Sequence, residues 1–402
     1  VIDLEAALAE LREQGLHRST RLVSGPQGPQ VLVDGQPVLL LCSNNYLGFA
    51  DHPRVREAAA DAAMRWGVGA GASRVVSGTM TIHDRLEERL AEFERSEACV
   101  LFGSGYLANV GVISALAPRG STVFSDALNH ASIVDGCRLA RAATFIYEHC
   151  DLDHLAWGLR RAPRGGLIVT DSVFSMDGDV APLAEIVELA AERGARVVVD
   201  EAHATGALGP GGRGAVAEAG LEGAVDVIVG TLGKALGSYG AYVCASGVTV
   251  EYLVNAARTL IFSTAPPPPA VAGALAALEL LCEQPGRVDK LATNAAAMRS
   301  ALARHGLAVA DGRTQIIPLV IGGAAETVAL SAAALERGVF VQAIRPPSVA
   351  AESSRLRITM MASHSASDVQ RAAAAIAAAA RAVGVDFRSP GEPARATIGR
   401  AA

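Results

Sequence analysis

The sequence predicts an α/β protein in two parts: a large domain built on a mostly parallel seven-stranded sheet, then a smaller C-terminal α/β domain. Three observations carry that prediction. The chain has 402 residues, more than the ~250–300 at which a single hydrophobic core stops growing. Between residues 98 and 245, seven β-rich runs (ACVLF, STVFSD, ATFIYE, GLIVTDS, ARVVVDEAH, VDVIVGT, GAYVCAS) alternate with helical patterns, the mark of βαβ units. After the proline run APPPPA at 265–270, a long helical stretch leads into QIIPLVIGG, GVFVQAI and SRLRITM, interleaved with further helices.

The elements follow in order. VIDLEAALAELREQG has helical periodicity and acidic residues, unlike the basic and then apolar regions of a secretory leader, so a cytoplasmic protein is expected. IHDRLEERLAEFER places Ile82, Leu86, Leu90 and Phe93 on one helical face with charges on the other. The boundaries are expected to give an N-terminal arm over 1–40, a large domain over 41–290 and a small domain over 291–385. The tail 386–402, poor in apolar residues and carrying two prolines, is expected to be disordered. The apolar run AAAAIAAAARAVGV is interrupted at Arg381, short of the ~20 residues of a membrane span, and no internal repeat is present.

Composition excludes several classes. With 35 basic and 41 acidic residues and a net charge of -6, the chain lacks the positive excess of a nucleic-acid binder. The six cysteines show no C-x-x-C spacing and the nine histidines no H-E-x-x-H spacing, so reduced thiols and no metal are expected.

Ligands of parallel sheets sit beyond the carboxyl ends of the strands. The polar residues there are Gly103-Ser104-Gly105, Asp126 to His130, Asp171 to Ser175, Asp200 to His203 and Thr231 to Lys234. Lys234, within GTLGKALGSYG, admits three readings: a P-loop lysine, a lysine that forms a Schiff base, or a solvated charge. The DEAH box at 200–203 matches a helicase motif, but the only Gly-Lys pair has Ile228 at the first glycine position and Ala235 at the hydroxyl position, which excludes a P-loop. Gly103, Gly105 and Ala108 form a G-x-G-x-x-[GA] pattern with Asp126 about twenty residues on, which serves NAD or any phosphate at a helix N-terminus. Pyridoxal phosphate uses the whole set: an amine, Lys234; a carboxylate at the ring nitrogen, Asp200; a phosphate cradle; and a flat group over the ring, His130. Against these stand plainer roles, a turn or cap for Asp200, a structural His203, and a helix start at His130.

SNNYLGFADHP, GSGYLAN, NHASIVDG, DSVFSMDGD, VVVDEAHATGALGPGGRG, TLGKALGSYGAYV and LIFSTAPPP together resemble, in one order from about residue 40 to 385, the α-oxoamine synthases. These are fold-type I pyridoxal-phosphate enzymes that condense an amino acid with an acyl-CoA and release carbon dioxide. AIRPPSV followed by SRLRITM is most similar to the member of biotin biosynthesis, which takes L-alanine and pimeloyl-CoA or its carrier-protein equivalent; the sister activities take glycine or serine, and an NAD-dependent dehydrogenase is the reading from another class.

The resemblance implies a role for each matching residue. Lys234 would bind the cofactor covalently and act as general base, with Asp200 at the ring nitrogen, His203 at the phenolic oxygen, and His130 stacking on the ring and donating a proton. Ser104, the backbones of Gly105 and Tyr106, Ser175 and Thr231 would complete the cofactor site, with Thr264 reaching it from a second subunit of a homodimer. On the substrate side, Arg357 would grip the amino-acid carboxylate, Asn44 and Ser348 would lie near it, and Arg18, or else Arg21, would be an N-terminal substrate arginine. Ser348 stands where the family member has threonine, and VAAESS replaces a proline-glycine after it.

Overall fold

The computed structural model describes residues 2–163 and 165–385; the tail 386–402 lies outside the described residues. The chain divides into two compact units, one of Asn45–Ser175 and Asp179–Asp289, the other the described part of Val1–Asn44, Met176–Gly178 and Lys290–Ala402.

The first unit is built on seven strands: β1 (Ala98–Phe102), β2 (Thr122–Asp126), β3 (Ala143–Tyr147), β4 (Leu167–Asp171), β5 (Arg196–Asp200), β6 (Val227–Thr231) and β7 (Ala241–Ala245). Their order is β1-β7-β6-β5-β4-β2-β3. β7 alone runs antiparallel to its neighbours β1 and β6, and every other pair is parallel. Alternate residues Val100, Phe102, Val123, Leu167, Val169, Val198, Val227 and Val229 pack into one buried cluster with Ala108, Val112 and Ile113 of helix α1 (Gly105–Leu116) and Ile133 and Cys137 of α2 (Ala131–Ala140). The intervening Leu101, Phe124, Ile168, Val197, Val199 and Ile228 are also buried, which is why these strands read as continuous apolar runs. The helix expected over IHDRLEERLAEFER forms as Thr81–Glu94, with Ile82, Leu86, Leu90 and Phe93 buried.

Because β1 also runs with the parallel strands, Phe102, Asp126, Asp171, Asp200 and Thr231 all end strands at one edge of the sheet. The central cross-strand partners there are Asp171 and Asp200.

In the other unit, the expected strands form as Ile316–Gly322 and Ser354–Thr359, which with Gln342–Ile344 make an antiparallel sheet. GVFVQAI reads as one run but divides at the buried Val341: Val339–Phe340 pairs instead with Leu39 and Leu40. The segment expected as an arm thus contributes Val23–Ser24, Gln30–Val33 and Gln36–Leu40 to a second sheet. Each half of a short run satisfies its backbone groups in a different ladder.

Across β6 and β7, Tyr242 faces Gly230, where any Cβ would come within 2.1 Å of the phenol carbon. Glycine therefore lets the Tyr242 hydroxyl donate to Oε1 of the buried Glu94 and accept from Thr205 Oγ1 at 3.0 Å. Burial first, against the Tyr242 hydrogen bond, pushes the Glu94 carboxyl up to about 8 from 4.5. The folded state therefore holds this proton where the unfolded chain has lost it. The stabilisation is full below about pH 4.5 and is lost as pH rises towards about 8, with a limiting slope of about 1.4 kcal/mol per pH unit. Glu94→Gln should flatten the dependence of the denaturant midpoint on pH across this window; a slope equal to that of the parent would show that Glu94 is ionised in the fold.

Candidate active site

The edge formed by the strand ends cannot be left as bare carboxylates, because a buried charge needs a partner. Asp200, 4% exposed, accepts from Asn109 Nδ2 at 2.6 Å through Oδ2 and from the Ala202 N–H at 2.7 Å through Oδ1. It is thus a turn aspartate and a buried acceptor at once. Asn109 lies one turn into α1, and its amide also donates to Ser132 Oγ of α2 at 2.9 Å. Beside it, burial first and then the Asp200 charge push the Asp171 carboxyl well above its ordinary value. Asp171 accepts from the His130 N–H at 2.7 Å, and Asn129 braces the same corner by accepting from the Asp171 N–H at 2.9 Å.

His130 is the N-cap of α2, its Nδ1 accepting from the Ser132 N–H at 3.3 Å and lying 2.7 Å from Ser132 Oγ. The plainer role of a helix start is therefore real, and it fixes the ring while one side of the residue stays exposed. Surrounding protein desolvates the ring and holds its pKa below the ordinary value; Asp200 opposes this and Lys234 adds to it.

Lys234 stands in the turn between β6 and β7, Leu232-Gly233-Lys234 being closed by Leu232 N–H to Gly240 O at 3.0 Å and Gly237 N–H to Lys234 O at 2.9 Å. Its Nζ lies 2.9 Å from His203 Nε2, whose Nδ1 lies 2.7 Å from the Tyr46 hydroxyl. His203 and Tyr46 are both buried. Next to Asp200, the buried Glu201 accepts from the Ala215 and Val216 N–H groups at 2.9 and 2.8 Å, and burial raises its carboxyl to about 7. Gly214, at φ +92°, permits this approach, since a Cβ there would meet Glu201 Oε2 at 2.2 Å.

The remaining cofactor candidates surround the same edge in sequence. Ser104 is the N-cap of α1, its Oγ accepting from the Leu107 N–H at 3.2 Å. Gly105 and Tyr106 are then the first two helical residues, whose N–H groups have no intrahelical acceptor. The Tyr106 side chain turns to Asp135, to which it donates at 2.6 Å. Thr231 Oγ1 accepts from the Gly233 N–H and donates to Gly240 O, both at 3.2 Å. Ser175 is half-buried, and Thr264 is exposed and bridges Ser73.

The other substrate candidates belong to the second unit. Arg357, 7% exposed, donates to Asn44 Oδ1 at 3.2 Å, so it is no surface ion pair. Arg355, also buried, pairs with Asp177. Arg18 donates to Pro346 O at 2.9 Å, and the neighbouring His17 carbonyl accepts from Arg345, which sets this segment against the loop bearing the exposed Ser348. Arg21 instead forms an exposed pair with Asp34 at 2.9 Å. Sequence pattern does not single out Tyr46, Asn109 or Ser132; a lone amide in the apolar helix GYLANVGVISAL is the available signal for Asn109.

Among the described residues, Asp126, His149 and Cys150 bring metal-ligand atoms within 4.8 Å of one another. His149 has both ring nitrogens engaged, with Asp126 at 3.0 Å and Asp179 at 2.7 Å. Burial opposes its charge, yet the two carboxylates raise its pKa to about 12, and an imidazolium has no lone pair for a metal. No helix among the described residues is long and apolar enough to cross a membrane.

The profile of the family "Aminotransferase class I and II" matches residues 36–376. The chain is 52% identical over 383 residues to the 8-amino-7-oxononanoate synthase of Geotalea daltonii, covering 94% of this chain and 98% of that one. Against the same-named protein of Geobacter metallireducens it is 51% identical over 382 residues, covering 94% and 98%. Among solved structures it is similar to a serine palmitoyltransferase from S. paucimobilis with bound PLP-myriocin, at TM-score 0.90 and 33% identity over 95% of this chain and 97% of that one.

The Asn109 contact is directly testable. Asn109→Asp keeps the size but sets a second carboxyl against Asp200 in a buried corner, and should destabilise the fold by about 2–4 kcal/mol. Urea denaturation at neutral pH measures the loss; a change under about 0.5 kcal/mol would mean that the amide does not hold Asp200.

Proposed function

The chain belongs to the aminotransferase class I and II family, and from that membership we propose that it condenses L-alanine with pimeloyl-CoA, or pimeloyl-carrier protein, in a pyridoxal-phosphate-dependent reaction. The products are 8-amino-7-oxononanoate, the free thiol carrier and carbon dioxide, a step of biotin biosynthesis. Identity of 51–52% to 8-amino-7-oxononanoate synthases against 33% to the serine palmitoyltransferase supports alanine over serine. The observation that carries the reading is the 2.9 Å contact of Lys234 Nζ with His203 Nε2, in a site whose buried Asp200 is already held by Asn109.

These residues fit pyridoxal phosphate. The donor set offers a primary amine, a buried carboxylate for a ring cation, and helix-start N–H groups at Gly105 and Tyr106 with the Thr231 hydroxyl for a phosphate. When bound, the cofactor supplies an electron sink for charge developing at the substrate carbon. Lys234 would hold it through Nζ, and the same amine would serve as the base for the α-proton of alanine. Asp200 would keep the ring nitrogen protonated, His203 Nε2 would hydrogen-bond the phenolic oxygen, and His130 would stack on the ring and supply a proton. Ser104 orders the helix start, and Ser175 lies at the ring. Arg357, steadied by Asn44, would take the alanine carboxylate, with Ser348 and the N-terminal Arg18 also on the substrate side. The exposure of Thr264 supports a homodimer in which it completes the partner's phosphate site. Six cysteines outside any disulfide fit a cytoplasmic setting.

Assays of alanine, glycine and serine against short and long acyl-CoAs test the substrate reading: alanine with a pimeloyl thioester should give the highest kcat/KM, and a preference for glycine or serine would replace it with a sister activity. Lys234→Ala should fold and lose turnover. Borohydride reduction of the loaded parent enzyme, followed by peptide mapping, should place the label on Lys234; a label on another lysine would overturn the assignment.

Arg357→Lys tests the carboxylate partner, since guanidinium binds carboxylate through two parallel hydrogen bonds that an ammonium cannot reproduce. The variant should fold and retain cofactor but bind L-alanine more weakly by about 2 kcal/mol, roughly thirtyfold. A spectral titration with alanine measures this, and an unchanged dissociation constant would leave the carboxylate to another residue.

A further inference from the structure

Tyr46 is fully buried, and its hydroxyl lies 2.7 Å from Nδ1 of His203, whose other nitrogen lies 2.9 Å from Lys234 Nζ. The rings are tilted by 48° with centroids 6.1 Å apart, so the contact runs through the hydroxyl rather than through stacking. Residue 46 is separated from His203 by 157 positions and His203 from Lys234 by 31. Three distant segments of one unit therefore meet in a single line of polar atoms.

A neutral imidazole carries one proton, and the nitrogen that bears it is set by the hydrogen bond of the other. A phenol is a stronger donor than an imidazole N–H, and an imidazole lone pair is a stronger acceptor than a phenol oxygen. The favourable arrangement has the Tyr46 O–H donating to Nδ1, which leaves the ring proton on Nε2. We propose that Tyr46 is the positioning residue that fixes His203 as its Nε2–H tautomer and thereby turns a donor towards Lys234.

The proposal rests on the reading of Lys234 and His203 as the cofactor pair and deepens it. An Nε2–H donor favours the neutral amine of Lys234, the form that attacks an aldehyde or removes a proton. With the cofactor in place, the same donor would serve its phenolic oxygen, so one tautomer suits both states. The opposite tautomer would offer Nε2 as an acceptor, favouring the lysine ammonium and giving the phenolic oxygen no donor. Among the titratable groups nearby, His130 and Asp171 are each electrostatically linked to both Asp200 and Lys234.

The test uses the full-length chain with histidine labelled by nitrogen-15, with and without pyridoxal phosphate, and His203 assigned by comparison with His203→Gln. In the parent protein, Nδ1 of His203 should show the shift of an acceptor nitrogen and Nε2 that of a protonated one, in both forms. This readout requires no Tyr46 variant and no turnover. A protonated Nδ1 in the loaded enzyme would overturn the proposal even if borohydride mapping still finds Lys234, whereas a label elsewhere would remove the cofactor reading itself. In Tyr46→Phe, which keeps the ring and its packing, the pH midpoint of the cofactor band near ~420 nm should rise by about one pH unit, with the thermal transition still cooperative. A midpoint unchanged from that of the parent would make Tyr46 a packing residue only.

Discussion

Two carboxyl groups side by side at the ends of neighbouring parallel strands are the constraint around which the first unit is arranged. Asp171 and Asp200 are cross-strand partners, both buried, at the edge of a sheet whose strands bury apolar side chains on both faces. Both cannot be ionised at such a place without large cost. The structure separates them: Asp171 is driven to keep its proton, and its carboxyl is occupied by the His130 N–H. Asp200 is held from two sides by the Asn109 amide and the Ala202 N–H. The ring-nitrogen partner proposed for Asp200 would meet a side chain already held in place from both sides.

The same constraint explains the helices. α1 follows β1 and α2 follows β2, each starting at the edge where the strands end, and each starts with a side-chain cap, Ser104 or His130. Their first turns bring N–H groups and the positive ends of their dipoles to the edge where the strand-end carboxyls lie. Asn109 and Ser132 then link the two helices directly above Asp200. The capping role of His130 does not compete with a chemical one, because the bonds that make it a cap also fix the plane of its ring.

Much of this was legible in the sequence. The alternating apolar runs yield the α/β class and the seven strands, and the polar residues after each run mark one edge, because strand ends in a parallel sheet share a direction. What pattern cannot reveal is which of those residues meet. Lys234 and His203 are 31 positions apart, and their 2.9 Å contact depends on β5 and β6 lying side by side. Tyr46 precedes the whole sheet, and nothing in its local pattern points to a histidine 157 residues away. GVFVQAI shows the complementary limit: a β-rich run indicates extended backbone, but not that its two halves pair in different sheets, since ladder partners are chosen by tertiary context.

Glycine carries the last step, because several approaches in this unit are possible only where a side chain is missing. Gly230 admits the Tyr242 phenol to Glu94, and Gly214 admits the Glu201 carboxylate to two backbone N–H groups. Both clusters bury an acid whose proton affinity is raised, to about 8 and about 7, and both lie beside the strands that carry Asp200 and Thr231. A chain that buries so much acid next to its polar edge forgoes stability as pH rises, and it receives in exchange strand ends whose positions are fixed from behind. The turn bearing Lys234 therefore hangs from β6 and β7, locked together by the Gly230–Tyr242 pairing, and the amine is held at one point by rigid strands although it sits in a loop rich in glycine.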